Sequence, residues 1–324
     1  MLQLGISKPM PDWRELPYNA YMQELAAAGY RGISTDADAK GAARDPATRA
    51  ALEEQLDTER AARDAAGIVA LDLTPGLMPS HARADGLAET AMALAARAGA
   101  PGLRILGAPY VRAYKPGDEY VAWYDGLKDY QALLDATLRD LELFCRAGEA
   151  VGVKLYLEIH GGYINSSPAS ALRVMEPFGA ERIGIIHDPE NQVLEGSLDY
   201  KMGIEMLGDY LAFVHVKNSL WEPVSPPGRS RFCTRRVRLS EGLVDWGQII
   251  QYLVHRDWHG VLADECMIPG HSLDDRLAER DYLNSLIAAA ATNRGRTLVN
   301  QGIWPGEAWG PEPDFLDAVT AIGM

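Results

Sequence analysis

Four side chains able to hold a divalent cation recur at the ends of apolar runs in the second half of this 324-residue chain. Glu158 closes KLYLE, Asp188 closes IGIIHD, His215 stands in LAFVHVKN and Glu265 closes GVLADE. Each carboxylate interrupts an apolar run just before it ends, where a charge is costly unless it is coordinated or ion-paired. Three carboxylates with one imidazole suit a hard or borderline divalent ion, Mn²⁺ first, with Mg²⁺ and Co²⁺ sharing the ligand set. Cys145, Cys233 and Cys266 lack CxxC spacing, so neither a zinc knuckle nor a disulfide scaffold is supported. Taken singly, the four residues read as solvated strand ends, or as an ion-pair cluster with Lys154, Lys217 and Arg182. Four in succession, all at the same end, favour a metal site.

Such residues converge only if a scaffold sets the carboxyl ends of consecutive strands around one axis. Short β-rich runs at 2–7, 30–36, 69–74, 103–107, 154–160, 183–188, 212–218 and 261–266 alternate with amphipathic runs near 17–28, 46–66, 82–99, 127–151, 168–178, 199–208, 246–255 and 273–294. In the stretch 127–151, Leu127, Leu134, Leu138, Leu141 and Phe144 recur at helical steps with charges on the other face. Gly29, Gly67 and Gly152 stand where left-handed helix ends are expected. Eight strand–helix units without a linker predict an α/β fold, a single closed (β/α)₈ barrel over residues 1–294. The competing doubly wound sheet would carry a Gly-rich phosphate turn after its first strand, and Gly5-Ile6-Ser7-Lys8-Pro9 is not one. Three segments exceed the minimal barrel: an extended loop after the fourth strand (108–126) bearing Tyr110, Tyr114, Tyr120, Trp123 and Tyr124; one after the seventh (219–245) bearing Arg229, Arg231, Arg235, Arg236 and Arg238; and a C-terminal extension, 295–324, with Trp304 and Trp309. Two of them follow a strand directly, on the face where barrel enzymes work. The third is expected to pack on the barrel or on a partner.

Strand pleating sorts the neighbours of the four. His160 shares the parity of Glu158, and Lys217 that of His215, so both should lean toward the barrel mouth. His160 is then a candidate for proton transfer or for orienting Glu158, and Lys217 for polarising a substrate oxygen or for an ion pair. His187 has the opposite parity to Asp188 and should face the surrounding helices. Arg236 and Arg238 alternate as on a short strand, so either could turn inward to a substrate oxyanion; a solvated charged face is the plainer alternative. Arg104 lies inside the barrel or pairs with an acid, and Cys266 reads as a small buried filler.

The composition, 47% apolar with a formal charge of −14, excludes disorder and argues against a nucleic-acid partner, whose affinity rests on clustered Lys and Arg. No run of roughly 18 apolar residues suggests a membrane span, and the N-terminus lacks a signal peptide's apolar core, so a reduced cytoplasm is expected.

At this point the chain resembles the xylose isomerase-like TIM barrels, the sugar phosphate isomerase/epimerase superfamily. Glu158, Asp188, His215 and Glu265 match in order and type the metal-binding positions of its epimerase-like members. EIHGG resembles the family's E-x-H-G-G, DPEN its D-P-x-N variant, and GLVDWGQIIQYL the G-x-x-D-W segment before the last strand. The likeness is strongest over about 150–267, with the first four strands matched only by pattern. It implies one divalent metal and proton abstraction next to the carbonyl of a sugar or keto sugar, with Glu158 and Glu265 as the acid/base pair and His160 as a further candidate. Lys217, Arg236 and Asn191 would face substrate, although some epimerases carry a substrate-contacting His where Asn191 stands. The alternative uses the same half-reaction for elimination: dehydration of a cyclitol, or cleavage of a 3-keto glycoside by a C-glycoside deglycosidase that works with a small β-rich partner subunit. Homo-oligomerisation and such a hetero-oligomer both remain open. The apurinic-site endonucleases of the same superfamily use a multi-metal cluster with more histidines, a poor match to this acidic chain. A non-catalytic sugar-binding protein would not need both glutamates beside the metal.

Overall fold

Eight parallel strands close on themselves in the computed structural model, which describes residues 2–110, 129–194, 196, 199–223 and 232–292. The strands are β1 (Gln3–Ile6), β2 (Gly32–Asp36), β3 (Val69–Thr74), β4 (Gly102–Ile105), β5 (Lys154–Glu158), β6 (Ile183–His187), β7 (Leu211–Val216) and, after a two-stranded antiparallel hairpin of β8 (Ser219–Pro223) and β9 (Phe232–Arg236), the closing strand β10 (Val261–Asp264). β10 lies between β7 and β1, so the barrel seals with Gln3 opposite Val261 and Ile6 opposite Asp264. The expected (β/α)₈ barrel is therefore the fold.

The helices begin and end for local reasons. In α3 (Pro46–Ala66), the Asp45 carboxylate accepts from the backbone N–H groups of Ala47 and Thr48, and Gly67 closes the helix at φ 69°, where a side chain would be strained. α5 (Tyr130–Glu149) starts on an Asp129 cap and buries Leu133, Leu134, Leu141 and Phe144 on one stripe. α6 (Pro168–Met175), α8 (Tyr200–Leu207) and α9 (Trp246–His255) start on caps from Ser167, Asp199 and Asp245. α1 (Tyr18–Ala27), α4 (Leu87–Arg97) and α10 (Leu273–Thr292) complete the outer ring. Two short helices, α2 (Ala39–Arg44) and α7 (Pro189–Leu194), were not expected. The start expected near 82 falls in a 3-10 turn, Pro79–Arg83, and the regular helix opens only at Leu87. The segment after β7, read as a loop, carries the β8–β9 hairpin, with Arg235 and Arg236 on its second strand. Tyr114, Tyr120, Trp123, Tyr124, Arg229, Arg231, Trp304, Trp309 and the whole 295–324 extension lie outside the described residues.

Most of the core lies between strands and helices, but a second cluster of Leu71, Tyr156, Ile186, Phe213 and Ala263 fills the barrel itself. Tyr156 and Phe213 meet edge to face at 6.3 Å. Glycines make room for them: a Cβ on Gly102 would come within 2.3 Å of the Tyr156 ring, and one on Gly32 within 2.5 Å of Leu71. Between β2 and β3 the register slips, so that Ile33 pairs with Ala70 but Ser34 with Asp72. No described helix is long and apolar enough to cross a membrane.

Candidate metal centre

The barrel sets the four expected residues on adjacent strands at one rim. Glu158 is the last residue of β5, Asp188 follows β6, His215 lies near the end of β7, and Glu265 follows β10. All four are buried, and one ligand atom from each lies within 4.8 Å of the others. His215 Nδ1 stands 2.9 Å from Glu158 Oε1, 3.3 Å from Glu265 Oε2 and 4.0 Å from Asp188 Oδ2. Its Nε2 lies 3.0 Å from Ser7 Oγ on the far side of the ring. Without an ion, Nδ1 donates to the Glu158 carboxylate, since a carboxylate can only accept; with an ion held there, Nδ1 would turn its lone pair to it and Nε2–H would donate to Ser7 Oγ.

Each carboxylate is also held from outside. Asn191 donates its backbone N–H to Asp188 Oδ1 (3.1 Å) and its amide to Asp188 Oδ2 (2.6 Å) and to the Ile159 carbonyl (3.1 Å). The short helix opened by Pro189 thus folds Asn191 back onto the acid three residues earlier. The Asn165 amide donates to the Glu158 carbonyl at 2.5 Å, fixing the end of β5. Trp246, buried at the start of α9, donates its indole N–H to the Lys217 carbonyl (3.2 Å) and so anchors the segment beyond β7.

Two buried cations reach in. Lys217 Nζ lies 2.5 Å from Asp188 Oδ2 and 2.6 Å from Glu265 Oε2, and Arg104 on β4 ion-pairs with Glu158 Oε2 and reaches Glu265 Oε1 at 3.5 Å. Burial alone would raise the Glu158 carboxyl, but Arg104, His215 and Lys217 outweigh it and hold it well below the usual range. Glu265 responds in the same way: burial opposes ionisation, and His215 and Lys217 bring it down to about 2. Burial works against the charged Lys217, yet Asp188, Glu265 and Glu158 raise its pKa, so it stays an ammonium. Three acids thus meet two buried cations and an imidazole; the oxygen and nitrogen donors are of the type a divalent ion takes, and an ion held there would compete with Lys217 and Arg104 for the same carboxylates.

Asp72 completes the ring of charge behind Arg104. It is fully buried, with the Ser34 hydroxyl beside it but neither oxygen in a hydrogen bond of good geometry. Burial raises its pKa, with Arg104 pulling the other way. Because the folded value lies above the unfolded one, the favourable contribution of the neutral acid is complete below the unfolded value and is lost as pH rises through the folded one. At neutral pH Asp72 is therefore a burden on the fold, and Asp72→Asn should raise stability by about 1 kcal/mol, or roughly 2–4 °C in Tm. Melting curves against pH check this: the gain should shrink toward pH 4, and a gain that grew on acidification would refute the account.

Several expected residues lie elsewhere. Lys154 donates to the Ala180 carbonyl, and Arg182 pairs with Glu142 and Glu149, so of the three basic residues weighed for an ion-pair cluster only Lys217 joins these acids. His187 is buried away from them and hydrogen-bonds Gln192 at 2.7 Å, as its parity implied. His160 is half-buried, with Nδ1 at 3.0 Å from the Gly161 carbonyl and its ring edge-on to Tyr163. Arg236 turns toward the rim and ion-pairs with buried Glu190, whereas Arg238 pairs with Asp275. Cys266 is only half-buried and lies 3.5 Å from His271 Nδ1, so it is more than a core filler. Ser7, Asn165 and Asp72 were not singled out from sequence; the Ser7 hydroxyl and the Asn165 amide carry no charge to mark them.

Comparison with known proteins places the chain. The family described as xylose isomerase-like TIM barrel matches residues 22–283. No curated protein sequence is significantly similar. Among solved structures, the chain is similar to apo 3-keto-D-glucoside 4-epimerase YcjR from E. coli (TM-score 0.64, 15% identity, 88% of this chain and 100% of that one). It is similar also to the probable 3-DHS dehydratase AsbF from Bacillus anthracis (0.62, 16%, 87% and 99%). A third is a xylose isomerase-like TIM barrel protein from Mycobacterium smegmatis in complex with magnesium (0.60, 16%, 89% and 97%). At these identities the likeness to solved structures is one of fold.

Proposed function

The chain belongs to the xylose isomerase-like TIM barrel family, and from that premise we propose that it is a divalent-metal-dependent sugar isomerase or epimerase. It would remove a proton next to the carbonyl of a sugar or keto sugar and return one. The observation that carries this reading is the buried convergence of Glu158, Asp188, His215 and Glu265 at the carboxyl ends of adjacent strands. These four would hold the ion, Mn²⁺ first and Mg²⁺ or Co²⁺ by the same donor chemistry. Such an ion, when bound, supplies Lewis-acid polarisation of a carbonyl and its neighbouring hydroxyl.

The remaining work falls to side chains. Glu158 and Glu265 approach His215 Nδ1 at 2.9 and 3.3 Å; with the substrate carbon acidified by its polarised carbonyl, one ionised glutamate would take the carbon-bound proton, and the other, having drawn a proton from solvent, would return one. Arg104 engages Glu158 Oε2 and leaves Oε1 toward the site. The Lys217 ammonium stands ready to meet negative charge as it develops on a substrate oxygen. His160, half-buried at the rim, is the alternative proton carrier, and Asn191 and Arg236 complete the substrate side through Asp188 and Glu190. The likeness to an E. coli 3-keto-D-glucoside epimerase supports a keto sugar as substrate class.

A second reading, elimination, is favoured by the likeness to a probable dehydratase. If the substrate carries a leaving group β to its carbonyl, the same abstraction ends in loss of water or of an aglycone.

Metal analysis followed by solvent-deuterium exchange over a panel of ketoses and 3-keto glycosides tests both. Label at one carbon of a returned sugar supports epimerisation, and release of water or aglycone supports elimination. Absence of exchange into every carbonyl sugar by the metal-loaded protein would sink the proposal. Ser7→Ala supplies a finer check. Removing the acceptor of the His215 Nε2 proton should weaken Mn²⁺ binding by about tenfold in a calorimetric titration. Unchanged affinity would mean that the hydroxyl does not orient the ring.

A further inference from the structure

Beside the metal centre, on the opposite side of Ser7, a cleft of about 210 Å³ opens between the ends of β1 and β2 and the flank of α3. At ~30 Å³ per liquid water it would hold roughly seven waters, space for one six-membered ring but not for a flat system of several rings. Two tyrosines wall it, and their phenol oxygens are already engaged: Tyr21 accepts from the Met10 N–H (3.2 Å) and Tyr18 from Arg63 (3.3 Å). The rings are thereby fixed as apolar walls. Polar groups of every hydrogen-bonding type share the lining: the Asp36 and Glu59 carboxylates, the Gln55 amide and the Lys8 ammonium. Gln55 donates to Glu59 at 2.8 Å, which sets the pair on one flank of α3.

The cleft is not separate from the centre. Ser7 and Lys8 line it, and the same two residues touch the cluster: Ser7 Oγ lies 3.0 Å from His215 Nε2 and Lys8 Nζ 3.9 Å from Glu265 Oε1. A molecule spanning both would cross β1 at this pair.

We propose that this cleft is a subsite for a second sugar ring, so that the substrate is a glycoside whose keto sugar sits at the four-residue cluster and whose neighbouring ring lies between the tyrosines and the Asp36, Gln55 and Glu59 side chains. Fixed aromatic walls suit the C–H faces of a pyranose, and the carboxylates and amide suit its hydroxyls. Lys8 stands at the junction, where its ammonium donates to the linking oxygen. The proposal rests on reading the cluster as a keto-sugar site, and it adds that recognition extends one ring beyond it.

The probes are methyl 3-keto-glucoside and a 3-keto disaccharide of two glucose units, titrated calorimetrically into Mn²⁺-loaded protein and followed in parallel by deuterium exchange. The disaccharide should bind at least about tenfold more tightly, the gain expected of a few hydrogen bonds. Asp36→Ala and Gln55→Ala, both at exposed positions that leave the core untouched, should together erase most of that preference. Equal affinities, failure of both probes to bind, or a preference the two substitutions leave intact would overturn the subsite. Preferential binding without any exchange would retain the subsite and remove proton abstraction. Exchange at equal kcat/KM for both compounds would do the reverse.

Discussion

Glu265→Gln should lower deuterium exchange into a keto sugar by at least about 10³-fold, the upper part of the range a positioned acid/base group supplies. The amide matches the carboxylate in size, so packing around β10 is kept, while the negative charge between Lys217 and His215 is gone. Lys217 keeps Asp188 at 2.5 Å and is not left as an unpaired buried cation. The variant should therefore stay folded, with a melting temperature within a few degrees of the wild type. Metal content measured on the same sample separates the two roles of this side chain. Loss of exchange with the ion retained assigns the proton transfer to Glu265, and loss of both assigns it chiefly to ligation. Retained exchange would move the base elsewhere, with His160 next in line.

The second large effect is expected in stability. Chelator-treated protein should gain about 2.7 kcal/mol when Mn²⁺ is added at a hundred times its Kd, because an ion that binds only the folded chain adds its binding energy to folding. In a chain of this size that is a rise of several degrees in Tm. The gain should vanish in Asp188→Asn and in His215→Ala, since each removes a donor from a set whose atoms all lie within 4.8 Å. The competing picture is that Lys217 and Arg104 already satisfy the acids and the cluster is an ion-pair network alone. On that picture no divalent ion shifts the melting curve, and calorimetry across Mn²⁺, Mg²⁺ and Co²⁺ decides between the two.

Much of this was legible from residue types alone because the four strands that carry the site announce themselves twice, by an apolar run and by the carboxylate or imidazole near its end. Val69–Thr74, Pro46–Ala66 and Trp246–His255 were expected with the bounds the structure has, and each has strong punctuation: a preceding Gly, a Pro at the first helical turn, an Asp cap. Parity sent His187 outward, and Arg104, read as either inside the barrel or paired with an acid, is buried and paired with Glu158. What escaped depended on closure. Ser7 meets His215 across 208 positions of sequence only because β10 inserts between β7 and β1, and a hydroxyl carries no charge to flag it. Asp72 escaped for a different reason: the register slip opposite Ser34 breaks the alternation from which its direction would be read. The β8–β9 hairpin hid in an arginine-bearing stretch whose alternation was visible only at 236–238. The α7 turn is too short for a periodic signal and shows itself only through the Asn191–Asp188 contact.

The packing inside the barrel has an evolutionary consequence. The Tyr156 ring occupies the space that a methyl group on Gly102 would claim, and a Cβ on Gly184 would meet the same ring at 3.0 Å. Gly102 cannot grow while the tyrosine stays, a side chain at Gly184 would press on both the ring and the Tyr210 carbonyl, and a smaller residue in place of the tyrosine would open a void beneath the acids. Descendants of this chain should therefore change positions 102 and 156 together, and a damaging Gly102→Ala should be rescued in a laboratory selection by a smaller residue at 156.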